Sequence, residues 1–334
     1  MAGIMLETLP AEVLLEIGTH LDRPSTLASF MSLNSRFYAF VKLHQETLVT
    51  EILNNFVSPE LLPQALAVFE ASNVVSWTPE RTTHIISQFK GTKYIKRAKL
   101  SVKDGLNIQQ RHEKILPIVT EFLRLALVQH PKPLVQPKPL SKNEKLRVER
   151  AFYRFELCEA CKELTRSSVT HVILFLFSDT DLEQMVIITE FIQETKHWYG
   201  KKWEWDLTAA WMAPISSKAW TKRVVSFFSS PILEHSRSSH RHETLGFEWT
   251  DSTDLAVAEV KSNLVESYGG FIPPDTDKGP KNAWRWAHKF MKHHDLNKLI
   301  TLEHRRSWGY ALWDEQRLRD EWGLIGSVEQ KRGQ

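Results

Sequence analysis

Apolar residues recur three and four positions apart from the first helical turn of this chain. In LETLPAEVLLEIGTHLD, residues 6–22, Val13, Leu14, Ile17 and Leu21 fall at helical spacing and form one stripe. Pro10 suits the first turn, where its missing N–H has no helical partner to lose. Glu12 lies near the positive end of the helix dipole. Asp22, Pro24 and Ser25 punctuate the chain and start a second helix carrying Leu27, Phe30, Met31 and Leu33. Asn34 and Ser35 offer an N-cap to a third, in which Phe37, Phe40, Val41, Leu48 and Ile52 repeat three, four or seven apart. Three helices this short bury too little surface to be stable alone. Each large apolar side chain gains about 1.5–3 kcal/mol only where something covers it. The cover comes from residues beyond 60 or from another protein, and the pattern leaves both open.

Further along, residues 56–130 predict several polar-faced helices. The clearest are ELLPQALAVFEAS and EKILPIVTEFLRLALVQH, the second with a proline in its first turns. Between them KGTKYIKRAKLSVK concentrates lysines and reads as a solvated loop or helix face. HPKPLVQPKPLS, residues 130–141, is rich in proline and lysine and reads as an extended linker or surface loop. SKNEKLRVERAFYRFELCEACKEL then predicts a strong amphipathic helix. SDTDLEQMVIITEFIQETKHW predicts another, with Ser178 as cap and Leu182, Met185, Val186 and Ile192 on its apolar face. No repeat of 20–50 residues is visible, so repeat architectures are not expected. The fold class is therefore mainly α, with a three-helix start followed by a non-repeat helical domain.

Composition narrows the setting. The chain has 334 residues, 42% hydrophobic and 25% charged, which is ordinary for a globular protein. The net charge of +3 gives no nucleic-acid footprint. The most apolar run, VILFLF, is far too short to span a bilayer. The first residues carry no secretory signal, and Ala2 stands where myristoylation needs glycine. Two cysteines make no disulfide framework. We expect an intracellular protein, cytoplasmic or nuclear, that uses neither a membrane nor nucleic acid.

Candidate chemistry is sparse. Cys158 and Cys161 form a Cys-x-x-Cys, but a redox pair needs a strand–turn–helix setting and a zinc site needs a second ligand pair. Two packed helical cysteines are expected instead. His235, His240 and His242, with His293 and His294, are flanked by serine and arginine and read as polar loop, not as a metal cluster. No nucleophile elbow, phosphate loop, dinucleotide fingerprint or zinc-protease motif occurs. We expect no enzymatic activity, no metal and no cofactor. Eleven of twelve tryptophans lie after residue 197, which predicts a tryptophan-rich core in the second half.

The segment LPAEVLLEIGTHLDRPSTLASFMSLNSRFYAFV resembles an F-box, in particular that of filamentous-fungal F-box proteins. The resemblance rests on Leu9, Pro10, Glu12, Leu14, Leu15, Ile17 and Leu21, then Arg36, Phe37 and Tyr38. Gly18 departs from it, since the family more often has a larger side chain there. Weaker echoes of the same group are the helix starts near 149 and 181 and RRSWGYALWDEQRL at 305–318. The resemblance implies a substrate-recognition subunit of an SCF-type ubiquitin ligase. Its F-box, residues 1–55, would dock on a Skp-type adaptor and through it on a cullin. Leu9, Pro10, Glu12, Val13, Leu14, Ile17, Leu21 and Phe37 are the expected adaptor-binding residues. Residues 56–144 would form a helical connector with the loop at 130–141, and 145–325 a helical, tryptophan-rich domain holding a protein client whose contact residues are unknown. The alternative is an F-box protein with a structural or regulatory role outside a ligase.

Overall fold

The computed structural model describes residues 9–89, 99–129, 138–160, 177, 181, 183–192, 283 and 304–324. Every regular element among them is helical, so the fold is all-α and strand-free over the described residues. The chain divides into two compact units, Met1–Pro117 and Ile118–Gln334.

The first unit begins with α1 (Ala11–Thr19), α2 (Pro24–Met31) and α3 (Ser35–Phe56). The third helix starts where the sequence places its cap: the Asn34 side chain accepts the Phe37 backbone N–H at 3.0 Å. Both short helices pack on α3. Leu14, Leu27, Phe37, Val41, Leu48, Val49, Ile52 and Leu53 make the core. The ends of α1 are tied to α3. Arg36 donates to the Leu9 carbonyl at 2.7 Å, and Asn55 donates to the Thr19 carbonyl at 2.8 Å.

The expected stripe of Val13, Leu14, Ile17 and Leu21 needs correction. Helix α1 turns Leu14 and Gly18 inward, while Val13 is 41% and Ile17 37% exposed. The reason is Gly18. A Cβ there would lie 2.5 Å from Leu48 Cδ2, so the missing side chain lets the helices close and Leu48 fill the space. The glycine thus tightens the α1–α3 contact.

Two further helices, α4 (Leu62–Ser72) and α5 (Pro79–Phe89), pack on each other. Gln64 Nε2 ties them by donating to the Phe89 carbonyl at 2.9 Å. The long helix α6 (Val102–Val128) contains the division between the units, at Pro117. It begins well before the helix expected at 113–130. Ser101 and Asp104 explain the early start by capping it reciprocally. The Asp104 carboxylate accepts the Ser101 N–H at 2.8 Å, and Ser101 Oγ accepts the Asp104 N–H at 3.2 Å.

In the second unit, α7 (Lys142–Ala160) starts on a similar box. Glu144 accepts the Ser141 N–H at 2.9 Å, and Ser141 Oγ accepts the Glu144 N–H at 3.1 Å. The sequence predicts an amphipathic helix here, and the structure differs. Nearly all of α7 from Glu144 to Cys158 is buried, charges included. Residues 183–192 are helical, as the periodicity predicts, with Met185, Val186 and Ile192 buried. Residues 304–324 add a short 3-10 turn, Tyr310–Leu312, and one π turn, Arg317–Glu321. Gly309 precedes the first of these with φ +71°, a left-handed conformation, and a Cβ there would meet Phe122 at 2.9 Å.

Candidate functional site

Of the eight residues expected to bind an adaptor, the structure separates two kinds. Pro10, Glu12, Val13 and Ile17 are exposed on α1 and its entry, and Leu9 and Leu21 are half-buried. Leu14 and Phe37 are core residues, 1% and 2% exposed. Phe37 packs against Phe30 with ring centroids 4.4 Å apart. Both side chains lie in the core of the first unit. Residues that the sequence pattern does not mark for contact add to the exposed set. Leu33, in the turn between α2 and α3, is 61% exposed, Tyr38 51% and Leu43 80%. Lys42 Nζ lies 5.8 Å from the Tyr38 ring centroid. Five of the seven large hydrophobic side chains exposed among the described residues thus fall between residues 13 and 43. Val13 and Ile17 among them lie one turn apart on α1, so they share a face of that helix.

The local fold fixes α2 and the turn that follows it. Leu33 comes just after α2, whose C-terminal turn is anchored by Phe30. The other end of α2 has no side-chain cap of its own, since Arg23 precedes Pro24. Gln109 of α6 takes that role. Its Oε1 accepts the Ser25 N–H at 2.8 Å, and its Nε2 donates to Ser25 Oγ and to Glu113 Oε1, both at 3.0 Å. Arg23 Nη1 lies 3.5 Å from the same Glu113 carboxylate. Gly105, one turn before Gln109, lets α6 approach; a Cβ there would meet Val49 at 2.9 Å and Pro24 at 3.3 Å.

The second unit has a different character. Arg306 donates to both oxygens of Glu183, at 2.7 and 2.9 Å, and to Glu190 at 3.1 Å. The Tyr310 hydroxyl donates to Glu183 at 3.0 Å. Burial opposes the Arg306 charge, but Glu183 and then Glu190 outweigh it and raise its pKa above the ordinary range. Burial also pushes the Tyr310 phenol well above its usual value, with the adjacent Glu183 charge adding to the effect. At the start of α7, Arg317 donates to both oxygens of Glu144, at 2.7 and 2.9 Å. Arg147 donates to the Leu312 carbonyl at 2.7 Å and to Asp314 at 3.1 Å. Trp308, Trp313 and Trp322 are fully buried, and Trp322 meets the other two edge to face, 5.6 and 5.8 Å between centroids. The tryptophan-rich core expected for the second half holds for these three; Trp198 to Trp286 lie outside the described residues.

Cys158 is buried in α7, and Cys161 lies outside the described residues. So do His235, His240, His242, His293 and His294, the lysines at 90–98 and most of the proline-lysine stretch at 130–137. Among the described residues no group of three or more His, Cys, Asp or Glu could hold a metal ion. No helix among them is long and apolar enough to cross a membrane. Comparison with protein-family models, with curated proteins and with solved structures finds no match to this chain.

Proposed function

We propose that this chain is the substrate-recognition subunit of an SCF-type ubiquitin ligase, docking on a Skp-type adaptor through α1–α3 and holding a protein client with its second half. One observation carries the reading. The Leu-Pro-x-Glu start at Leu9–Glu12 leads into a helix that buries Leu14 and Gly18 and leaves Val13 and Ile17 outside. Apolar side chains grouped at the surface gain free energy once a partner removes them from water. The adaptor would supply that cover and bridge to a cullin. Ubiquitin transfer would belong to those partners, and this chain would contribute proximity between client and conjugating enzyme, itself a large rate factor.

The test is capture of a purified Skp-type adaptor by the full chain. Replacing Val13 and Ile17 together by aspartate removes two contacts of about 1–2 kcal/mol each. Affinity should fall about a hundredfold, while helix content and melting temperature stay as in the wild type. Co-purification of a cullin with the wild type would put the protein in a ligase. A wild-type chain that ignores the adaptor, or an aspartate variant that binds it equally well, refutes the proposal.

A further inference from the structure

We infer that the docking unit of this chain is four-helical: α1–α3 braced by the first half of α6, with Gln109 as the residue that positions α2. The inference rests on the adaptor reading above and extends it to residues outside the segment resembling an F-box. The first backbone N–H groups of a helix have no partner within it and need a cap. In α2 the residue before Pro24 is Arg23, whose side chain makes no cap. The orphan N–H of Ser25 is met instead by Gln109, 84 residues away. The same amide holds Ser25 Oγ and Glu113, and Glu113 faces Arg23. One side chain therefore fixes the start of α2 with two hydrogen bonds and a shared carboxylate.

The position of α2 matters because of the side chains at its far end. Its last turn carries Phe30 onto Phe37, and the next turn presents Leu33, 61% exposed. The path from Ser25 to Leu33 is one short helix, so tilting its start displaces its end. Helix α6 is also packed too closely to be a casual neighbour. Gly105 sits where a Cβ would lie 2.9 Å from Val49 and press on Pro24 at 3.3 Å, and His112 meets Phe56 edge to face at 5.3 Å. Docking affinity then includes the fraction of molecules with α2 in place, and lowering that fraction weakens apparent binding in proportion. Gln109 acts through Ser25 and makes no adaptor contact of its own.

Three full-length proteins test it, each titrated with purified Skp-type adaptor well below its melting temperature. Gln109→Ala removes the cap and should weaken adaptor binding measurably but by at most about fivefold, since a cap is worth about 1 kcal/mol and only the part that lowers the fraction of molecules with α2 in place reaches the apparent affinity. The exchange Gln109→Glu with Glu113→Gln keeps one carboxylate and one amide in the cluster. The relocated carboxylate can accept the Ser25 N–H, and affinity should return to within about twofold of wild type, since the cap is restored. The third protein is wild type. If Gln109→Ala melts earlier but binds the adaptor as wild type does, Gln109 only stabilises the fold and the inference is wrong. If the exchanged pair binds no better than Gln109→Ala, capping of Ser25 is not the cause and the inference is again wrong. If the wild type itself captures no adaptor, the functional reading fails first and takes this one with it.

Discussion

The two units bury different things. The first closes on aliphatic and phenylalanine side chains, and an ion pair such as Arg23 with Glu113 sits at its surface, 53% and 41% exposed. The second encloses charge: Arg306 with Glu183 are 3% and 5% exposed, and Arg317 with Glu144 5% and 1%. A buried ion pair gains little net stability over an apolar core, because desolvation takes back most of the attraction. What it enforces is completeness, since either partner left alone is an uncompensated charge. Those pairs in the second unit therefore depend on both partners, while the first leaves apolar side chains such as Leu33 and Leu43 facing water. A unit that buries paired charges and a unit with open apolar surface are suited to different tasks.

Cutting one ion pair in each unit tests this contrast most severely. Arg306→Ala takes two charged hydrogen bonds from the buried Glu183 carboxylate and should cost about 3–5 kcal/mol. Arg23→Ala removes an exposed pair and should cost less than about 1 kcal/mol. Chemical denaturation of the full chain measures both. Equal losses would show that burial does not separate the two units.

Much of the first unit is legible in the sequence, for a physical reason. Its core is made by local apolar periodicity, and the α3 residues that fall on the repeat (Phe37, Phe40, Val41, Leu48 and Ile52) are all buried. Asn34 caps as its position predicts, because capping is a contact over three residues. Long-range contacts and contacts made by small residues leave no such trace. Gln109 looks like any polar helix position, since its partner is 84 residues away. The inward face of α1 departs from the apolar stripe because a glycine, not an apolar side chain, marks the contact. In α7 two of the charges that suggest a solvated face, Glu144 and Arg147, are paired with Arg317 and Asp314, more than a hundred positions later, which local periodicity does not register. One signal does exist: Ser141-x-x-Glu144 and Ser101-x-x-Asp104 are both capping boxes and mark both helix starts.

Gly18 gives a test in which the sign, more than the size, decides. On an exposed helix, Gly→Ala gains about 1 kcal/mol of helix propensity. Here the new methyl would sit 2.5 Å from Cδ2 of Leu48, a side chain with no exposed surface to swing into. Overpacking of this kind costs about 1–3 kcal/mol. Gly18→Ala should therefore destabilise the protein by about 1 kcal/mol net, read from denaturant midpoints. Adding Leu48→Ala should recover part of the loss relative to Leu48→Ala alone, since the two changes share one space. A Gly18→Ala protein more stable than wild type would mean that the α1–α3 contact is loose.

The smallest effect probes a carboxylate of α7 whose burial is poorly compensated. Glu149 is 6% exposed, and Lys145, its ion-pair partner at 3.8 Å, is itself 60% exposed. Burial raises the pKa of Glu149 and Lys145 only partly opposes this. The sign follows from linkage. Below the unfolded value of 4.5 both states hold the proton, and the group's favourable contribution is complete. As pH rises from there, the unfolded chain releases its proton first, and that contribution is lost through the folded pKa. At pH 7 the ionised Glu149 therefore weighs against folding. Glu149→Gln mimics the protonated acid, so it should be slightly more stable than wild type at about pH 7, with the difference shrinking toward about pH 4. Glu144→Gln should do the reverse at neutral pH, because both Glu144 oxygens serve Arg317 and the amide cannot replace them. Denaturation midpoints of the two variants at both pH values would separate a carboxylate the second unit has compensated from one it has not. If Glu149→Gln were less stable at neutral pH, the exposed Lys145 would be compensating Glu149 as fully as Arg317 compensates Glu144, and burial alone would not rank the charges of α7.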